Sequence, residues 1–231
     1  MAPPATVADT DRLDMMQLRA RLGVPEPVEP ELVEPGPAVA SGTVPPEAVA
    51  APATSDTAAS LAAGPLVAAA VLVPLVVGAE PGVLLTKRTA TLSSHAGQVA
   101  FPGGRIDPGD TTVEDAALRE AWEEIGLRAE DVELAGRLPD YVTGTGYKVH
   151  PVLGLVPSGL MFRPEPAEVA SIFVLPLSVL LDPSAPQQRE AEMRGRTRRF
   201  WVWPHPEHYI WGATAAILVH LAHRLRSQPL P

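Results

Sequence analysis

Two apolar segments in the middle of the chain predict a hairpin of buried strands. Residues 66–77 form an almost continuous aliphatic run, and residues 83–88 resume it after a turn that contains two glycines and a proline. Strands that are buried on both faces show such runs rather than strict alternation. The uncharged stretch 57–79 is long enough for a membrane helix, but Pro74 interrupts it. We therefore interpret it as part of a core hairpin and expect no membrane span.

A helix with one apolar face is predicted further along the chain. Its apolar stripe, which should dock on a sheet, consists of Val113, Ala117, Leu118, Ala121, Trp122 and Ile125. Thr111 and Glu114 have the spacing of a capping box at the start, and Gly126 stands where such a helix ends. The pattern therefore predicts one well-delimited helix.

The remainder of the chain alternates between strand and helix patterns. Strands are expected at residues 132–138, 149–156, 170–174 and 197–203, and a last helix at residues 209–225. Strands interspersed with two main helices predict an α/β fold in which a mixed sheet lies between helices.

The first sixty residues differ in composition from the rest. Residues 1–56 contain ten of the 27 prolines, nine acidic residues and three basic ones, and no aromatic residue precedes Phe101. Such a segment cannot bury enough apolar surface to offset the entropy of ordering it. We expect a disordered Pro/Ala-rich acidic tail over residues 1–60 and a folded domain over residues 61–228.

One part of this tail has helical spacing. Residues 11–22 form a short amphipathic pattern through Leu13, Met16, Leu18 and Leu22. We interpret it as a transient helix, with packing on the domain or on a partner as the alternative.

Charge and cysteine content narrow the class of protein. The formal net charge is −9 and there is no cysteine, so neither a disulfide framework nor a thiol nucleophile is present. The arginines of residues 194–199 are too few for a nucleic-acid surface on an acidic protein. Without a basic, apolar leader pattern at the N-terminus, a cytoplasmic protein that binds neither nucleic acid nor membrane is expected. Whether the protein forms a homodimer stays open.

The predicted helix carries three carboxylates on one face. Glu120, Glu123 and Glu124 stand at i, i+3 and i+4, so their charges repel unless they are solvated, paired or share a cation. Carboxylate oxygens are the ligands that Mg²⁺ prefers, and substrate phosphates commonly complete its coordination. The alternative is a solvated acidic face. Gly103 and Gly104, just upstream, form a tight turn where the backbone can approach a ligand closely, which favours a metal–phosphate site.

This segment resembles a Nudix box. The matching residues are Gly104, Arg119, Glu120, Glu123, Glu124 and Gly126. The spacing from Gly104 to Arg119 is one residue longer than the general pattern, and Asp110 stands nearest to the first expected Glu. The longer spacing with an Asp resembles the coenzyme A pyrophosphatase branch of that superfamily.

A second motif resembles the signature of the same branch. The matches within residues 84–104 are Leu84, Leu85, Thr86, Arg88, Gly97, Phe101, Pro102, Gly103 and Gly104. Ser93 stands where many members carry Arg, and Thr89 replaces a small Ser or Ala. The resemblance covers residues 66–225 and implies a Nudix α/β/α sandwich.

The resemblance also implies an activity. It predicts a Mg²⁺- or Mn²⁺-dependent Nudix hydrolase that cleaves the pyrophosphate of coenzyme A or acyl-coenzyme A into 3′,5′-ADP and a 4′-phosphopantetheine species. Because Ser93 replaces the usual Arg, a Nudix hydrolase that acts on ADP-ribose or an oxidised nucleotide remains the second alternative. A non-catalytic Nudix module that binds a nucleotide is the third alternative.

Individual residues receive candidate roles. Glu120 and Glu124 are the first choices as metal ligands, Glu123 is a third, and the Gly104 carbonyl is a fourth by resemblance. Arg119 is expected to orient a carboxylate such as Asp110.

The general base is open between two carboxylates. Glu168 matches a family Glu beyond the central strands, although an exposed loop carboxylate is an equal reading, and Glu123 is its rival. Candidate substrate contacts are Lys87, Arg88, Arg105, His95 and Gln98. The segment 143–146, Thr-Gly-Thr-Gly, lacks a P-loop lysine and is interpreted as a turn.

Overall fold

The computed structural model describes Leu18, Leu22 and residues 65–92, 95–193 and 196–227. Expectations for the rest of residues 1–60 and for Ser93 lie outside these residues. The strands are β1 (Val67–Val77), β2 (Gly82–Arg88), β3 (Val99–Ala100), β4 (Gly103–Arg105), β5 (Glu133–Arg137), β6 (Tyr141–Val142), β7 (Tyr147–Pro157), β8 (Val169–Pro176), β9 (Gln187–Met193), β10 (Arg196–Trp203) and β11 (Ile210–Trp211). The helices are α1 (Val113–Ile125), α2 (Leu177–Leu181) and α3 (Gly212–Ser227), and Ala129–Asp131 forms a 3₁₀ turn.

A mixed sheet forms the centre of the domain. Its main path runs β3-β2-β1-β7-β5, with β4 paired to β1, β6 to β7 and β8 to β2. The β1–β7 pair is parallel over eleven residues, and the other pairs of this sheet are antiparallel. The predicted hairpin of two apolar strands is confirmed as β1 and β2. A smaller antiparallel sheet contains β9, β10 and β11.

Helices cover the central sheet on both faces. Ala70 and Leu72 of β1 pack with α1, whereas Ala69 and Val73 face the apolar side chains of α3. Because successive residues of a strand point to opposite faces, one buried strand supplies both cores. This arrangement confirms the predicted α/β/α sandwich.

The start of α1 differs from the prediction by one residue. The capping box is formed by Thr112 and Asp115, whereas the predicted pair was Thr111 and Glu114. Glu114 instead receives two hydrogen bonds from Arg137, at 2.6 and 2.7 Å. The start of α3 also moves, because Ile210–Trp211 pairs with β10 as a strand before the helix begins.

The predicted apolar stripe of α1 is wrong at one residue, Trp122. The side chain of Trp122 is 51% exposed, whereas Ala117, Ala121 and Ile125 are fully buried. Each helical residue is rotated by about 100° from the last, so the residue after Ala121 turns away from the sheet. Glu124, three positions after Ala121, takes a buried place instead and is only 3% exposed.

Two residues of the N-terminal segment belong to the core. Leu18 and Leu22 are helical and fully buried in the cluster on the α3 side of the sheet. The Arg224 guanidinium donates to the Leu22 carbonyl at 2.6 and 3.1 Å. At these two positions the segment packs on the domain, which was the alternative to a transient helix.

No helix in the described part of the chain is both long and apolar enough to cross a lipid bilayer.

Candidate active site

Helix α1 presents the three carboxylates at different depths. Glu124 is buried, the Glu120 side chain is 17% exposed and the Glu123 side chain is 56% exposed. The helix is held at its start by the Thr112 cap and ends at Gly126, whose φ of 68° is the left-handed conformation that glycine adopts easily. The caps therefore fix the two ends of α1, and the docking of α1 on the sheet sets the depth of each carboxylate.

The Gly103–Gly104 pair of β4 lies directly against these carboxylates. A Cβ atom on Gly104 would stand 2.5 Å from Glu120 Oε1, and one on Gly103 would stand 2.4 Å from the Ala70 carbonyl oxygen. At Gly103 the contact is with backbone and requires glycine, whereas a side chain at Gly104 would displace the Glu120 carboxylate. The Gly103 N–H also donates to Glu124 Oε2 at 3.3 Å. The expected close approach of backbone to the site is therefore present, but Gly103 and Gly104 lie in a strand paired with β1 rather than in the predicted tight turn.

Burial dominates the electrostatics of Glu124. Desolvation raises the pKa of Glu124 to about 7, although the Arg88 charge and the Gly103 hydrogen bond act to lower it. The charges of Glu120 and Glu168 raise it further. Arg88 Nη1 donates to Glu124 Oε1 at 3.3 Å. The pKa of Glu120 is also raised, and desolvation is the largest cause. These side chains form one negatively charged cluster.

Arg119 binds the carboxylates around it rather than the cleft. Its Nε and Nη2 donate to the two oxygens of Asp110 at 2.9 and 3.0 Å, and Nη1 donates to Glu120 at 3.0 Å and to Glu123 at 3.1 Å. The hydrogen bond to Asp110 holds the pKa of Arg119 above its usual range. Burial acts to raise the pKa of Asp110, but Arg119 outweighs it and the pKa is lowered. Arg119 thus contacts Asp110 as the sequence predicted.

A loop over residues 158–168 is attached to the end of α1. The Arg163 N–H donates to the Ile125 carbonyl at 2.9 Å, and the Glu165 N–H donates to the Glu124 carbonyl at 2.8 Å. The last carbonyls of a helix have no partner within the helix. Here the loop supplies those partners, so its position follows that of the helix.

Thr89 holds the same loop from the other side and places Glu168. The Thr89 N–H donates to the Glu168 carbonyl at 2.9 Å, and its hydroxyl donates to the Ala167 carbonyl at 3.1 Å. The charge of Glu168 acts on both Glu120 and Glu124. Thr89 therefore fixes the backbone of Glu168, whose side chain is exposed, as the alternative interpretation of a loop carboxylate expected. Sequence reasoning missed Thr89, which it noted only as a departure from the family pattern.

A cleft of about 290 Å³ opens beside the carboxylates. It shares Arg88, Gly103 and Gly104 with them and extends towards Tyr147 and Trp211. Its lining consists of Ala69, Val71, Arg88, His95, Gln98, Val99, Ala100, Phe101, Gly103, Gly104, Arg105, Thr143, Thr145, Tyr147, Val149, Trp211, Gly212, Ala213, Thr214 and Ile217. The cleft combines an apolar floor with a few polar groups, which is typical of a small-molecule site.

Four of the five predicted substrate contacts line this cleft. They are Arg88, Arg105, His95 and Gln98. Lys87 does not line it. The charge of Lys87 acts instead on His208, whose pKa is lowered mainly by desolvation.

Tyr147, Trp211, Thr143 and Thr145 are among the lining residues that were not predicted as contacts. Tyr147 carried no signal beyond being aromatic. Thr143 and Thr145 lie in the predicted turn, which is closed by a hydrogen bond of 3.2 Å from the Gly146 N–H to the Thr143 carbonyl. That turn also contributes both threonines to the cleft.

The donor set fits an open divalent-cation site. Within the residues that the structure describes, no three acidic or histidine side chains are gathered into a complete metal cage. Arg119 pairs with Glu120 and Glu123, and Arg88 pairs with Glu124. The carboxylates of Glu120 and Glu124 beside Gly104 are nevertheless hard oxygen donors. Such a site suits Mg²⁺, which takes few protein ligands and completes its shell with water and phosphate.

Comparisons with known proteins agree with this geometry. The family model of the NUDIX domain matches residues 66–205. A protein of Photorhabdus laumondii, named an uncharacterized Nudix hydrolase NudL, is 44% identical over 158 residues, which are 68% of this chain and 84% of the relative. A protein of the same name from Citrobacter koseri is 44% identical over 161 residues, 70% of this chain and 84% of the relative.

Among solved structures, a NUDIX hydrolase from Alicyclobacillus acidocaldarius is 22% identical and aligns over 52% of this chain and 83% of its own length, with a TM-score of 0.43. With the family model covering more than half of the sequence and relatives at 44% identity, the chain belongs to the Nudix family.

Proposed function

We propose that the protein is a Mg²⁺- or Mn²⁺-dependent hydrolase that cleaves the pyrophosphate of coenzyme A or its acyl derivatives. The products are 3′,5′-ADP and a 4′-phosphopantetheine species. One observation carries this proposal: the carboxylates of α1 meet a cleft of about 290 Å³ at the Gly103–Gly104 pair of β4. The relatives named as Nudix hydrolases support the same reaction class.

The pyrophosphate is expected at the boundary between the carboxylates and the cleft. Arg88 reaches both regions, since it pairs with Glu124 and lines the cleft. Its Nε is buried and has no hydrogen-bond partner among the described residues. A buried guanidinium N–H without a partner is costly, and a phosphate oxygen would satisfy it.

The catalytic work of the chain is positioning and charge stabilisation. A divalent cation, when bound, neutralises phosphate charge and lowers the pKa of a coordinated water. Glu120 and Glu124, with Glu123 and the Gly104 carbonyl, are the groups that would hold it. Arg119 keeps Glu120 and Glu123 oriented.

Glu168 is our choice for the general base. Its charge acts on Glu120 and Glu124 and its backbone is held by Thr89, whereas the Glu123 carboxylate is bonded to Arg119. A base must lie within reach of the attacking water. Glu168 is therefore the carboxylate that remains available to accept a proton.

The coenzyme A assignment is supported by where its signature lies. Arg88, Phe101, Gly103 and Gly104 belong to the segment that resembles the coenzyme A pyrophosphatase branch, and all four line the cleft. The segment that distinguishes the branch thus forms the surface that a substrate would contact. The cytoplasmic location and the possible homodimer stay predictions.

The deciding experiment is product analysis by mass-resolved chromatography. Purified protein is incubated with Mg²⁺ or Mn²⁺ and, in parallel, with coenzyme A, acetyl-coenzyme A, ADP-ribose and an oxidised deoxynucleoside triphosphate. Metal-dependent release of 3′,5′-ADP is the expected result. Turnover of ADP-ribose or the oxidised nucleotide alone would overturn the coenzyme A assignment but keep the hydrolase. Binding without turnover of any substrate would replace the enzyme by a nucleotide-binding module.

Glu124→Gln provides the matched variant for that experiment. It removes the buried charge with little change of shape, and we expect turnover to fall by at least about a hundredfold. Glu130→Gln is the control, because Glu130 is an exposed carboxylate outside α1. Circular dichroism and thermal unfolding establish that both variants fold.

A further inference from the structure

Arg105 stands in the cleft without an acidic partner. No carboxylate lies within ion-pair distance of its guanidinium in the described part of the chain, whereas Arg88 and Arg119 both have such partners. Arg105 Nη2 donates to the Tyr147 hydroxyl at 2.9 Å, and its guanidinium carbon lies 5.6 Å from the centre of the Tyr147 ring. Stacking on an aromatic ring fixes a guanidinium while leaving its other N–H groups available.

The backbone of Arg105 is also fixed. Its carbonyl accepts a hydrogen bond of 3.1 Å from Arg119 Nη2, and its Cα pairs with that of Ala69 in β1. The guanidinium is therefore positioned from both ends, by the helix arginine and by Tyr147. Preorganisation of this kind lowers the entropic cost of binding a ligand.

Two hydroxyl groups complete a set of donors around Arg105. The Tyr147 oxygen accepts from Arg105, so its own proton remains for a ligand. The Thr143 hydroxyl accepts from the Tyr147 N–H at 3.0 Å and lies 2.9 Å from the Thr145 hydroxyl. When Thr143 donates to Thr145, the Thr145 proton is likewise left for a ligand.

Charge in the cleft favours an anion at this place. None of the described residues that line the cleft is acidic, and the charge of Arg88 is offset by Glu124. Arg105 is thus the uncompensated charge of the cleft. It follows Gly104 directly in the chain, so it lies one residue beyond the expected pyrophosphate position.

We infer that Arg105, Tyr147 and Thr145 form a second anion subsite, which binds a phosphate monoester one sugar away from the pyrophosphate. This inference rests on the proposed function, because in coenzyme A that group is the 3′-phosphate of the ribose. Gly104 and Arg105 both line the cleft, and the 5′- and 3′-phosphates of a nucleotide are separated by one ribose. The subsite distinguishes coenzyme A from ADP-ribose and from dephospho-coenzyme A, which lack this phosphate.

Kinetics with matched substrates test the subsite. The kcat/KM values for coenzyme A and for dephospho-coenzyme A are measured for the wild-type protein, Arg105→Gln, Arg105→Lys and Tyr147→Phe. A lost charge-assisted hydrogen bond corresponds to roughly tenfold or more, so Arg105→Gln should lower the ratio of the two values by about tenfold. Arg105→Lys should retain part of the ratio. Arg128→Gln, at an exposed arginine outside the cleft, is the control and should keep it unchanged.

An equal loss for both substrates, or no loss for either, would overturn the subsite while leaving the proposed hydrolase intact. A second measurement needs no turnover: calorimetric binding of 3′,5′-ADP and 5′-AMP to the wild-type protein and to Arg105→Gln. A preference for 3′,5′-ADP that disappears in Arg105→Gln supports the subsite even if coenzyme A is not hydrolysed. Equal binding of both nucleotides by the wild-type protein would overturn it.

Discussion

The two sides of the Gly103–Gly104 pair in β4 carry opposite charge. On the α1 side, the charge of Glu168 acts on Glu120 and Glu124, and burial raises the pKa of Glu124 to about 7. On the cleft side no described lining residue is acidic, and Arg105 is held against Tyr147 without a carboxylate. A site with a negative half and a positive half suits a substrate that brings phosphate groups together with a cation. Each half can be disturbed separately.

The largest effect should come from the base that completes the negative half. Glu168→Gln keeps the size of the side chain but removes its ability to accept a proton, so we expect kcat to fall by about 10²–10⁴-fold with metal binding largely retained. Steady-state kinetics with calorimetric Mn²⁺ binding measures both. A larger loss of kcat in Glu123→Gln than in Glu168→Gln would transfer the role to Glu123.

Activity should be nearly as sensitive to a substitution at Gly104, where the two halves of the site meet. Gly104→Ala adds a Cβ only 2.5 Å from Glu120 Oε1, so the Glu120 carboxylate must move. A displacement of about 1 Å at a catalytic site can cost about a hundredfold in rate. Gly109→Ala is a matched control, because nothing lies within 4 Å of a Cβ at Gly109 and its φ is not positive. Equal activity of the two variants would show that the close contact at Gly104 has no catalytic consequence.

A smaller effect is expected at the support of Glu168. Thr89→Val removes the hydroxyl that donates to the Ala167 carbonyl but keeps the branched shape. A hydrogen bond of this type contributes about 1 kcal/mol, which corresponds to a loss of about fivefold in kcat if it serves to place Glu168. Thr89→Ser should restore the activity. A changed KM with unchanged kcat would assign Thr89 to substrate binding instead.

The smallest effect should come from the exposed side of α1. Trp122→Gln should change the free energy of unfolding by no more than about 0.5 kcal/mol, because half of the Trp122 side chain is exposed. Ile125→Ala, on the buried stripe of the same helix, should cost about 2–5 kcal/mol. Chemical denaturation of the two variants measures the difference. Similar losses would show that Trp122 packs on the domain after all.

The sequence was most informative where the signal is local. The capped helix with its carboxylates at i, i+3 and i+4 and the apolar hairpin depend on neighbouring residues, and both are present in the structure. The one-residue error at the Thr112 cap and the exposed Trp122 reflect how little a periodic pattern limits the rotation of a helix. Which carboxylate becomes buried could not be predicted, because that depends on how α1 docks on β1 and β4.

The cleft was harder to predict for a different reason. Arg105, Tyr147 and Trp211 come from three strands, β4, β7 and β11, that are far apart in the chain. Their meeting depends on the parallel pairing of β1 with β7 and on the position of α3. No spacing in a single sequence encodes such a contact. The role of Thr89 in holding the loop was missed because one of its two hydrogen bonds is donated by the backbone N–H. Every residue except proline has that group, so its presence gives no signal in the sequence.

The loop that ends at Glu168 also has a consequence for local opening. Because the amides of Arg163 and Glu165 bond to the last carbonyls of α1, the loop and the final helical turn should open together. In hydrogen-exchange experiments these two amides should therefore exchange at closely similar rates. A ligand that draws Glu168 towards the helix should slow both, so the exchange of these two loop amides would report occupancy of the site.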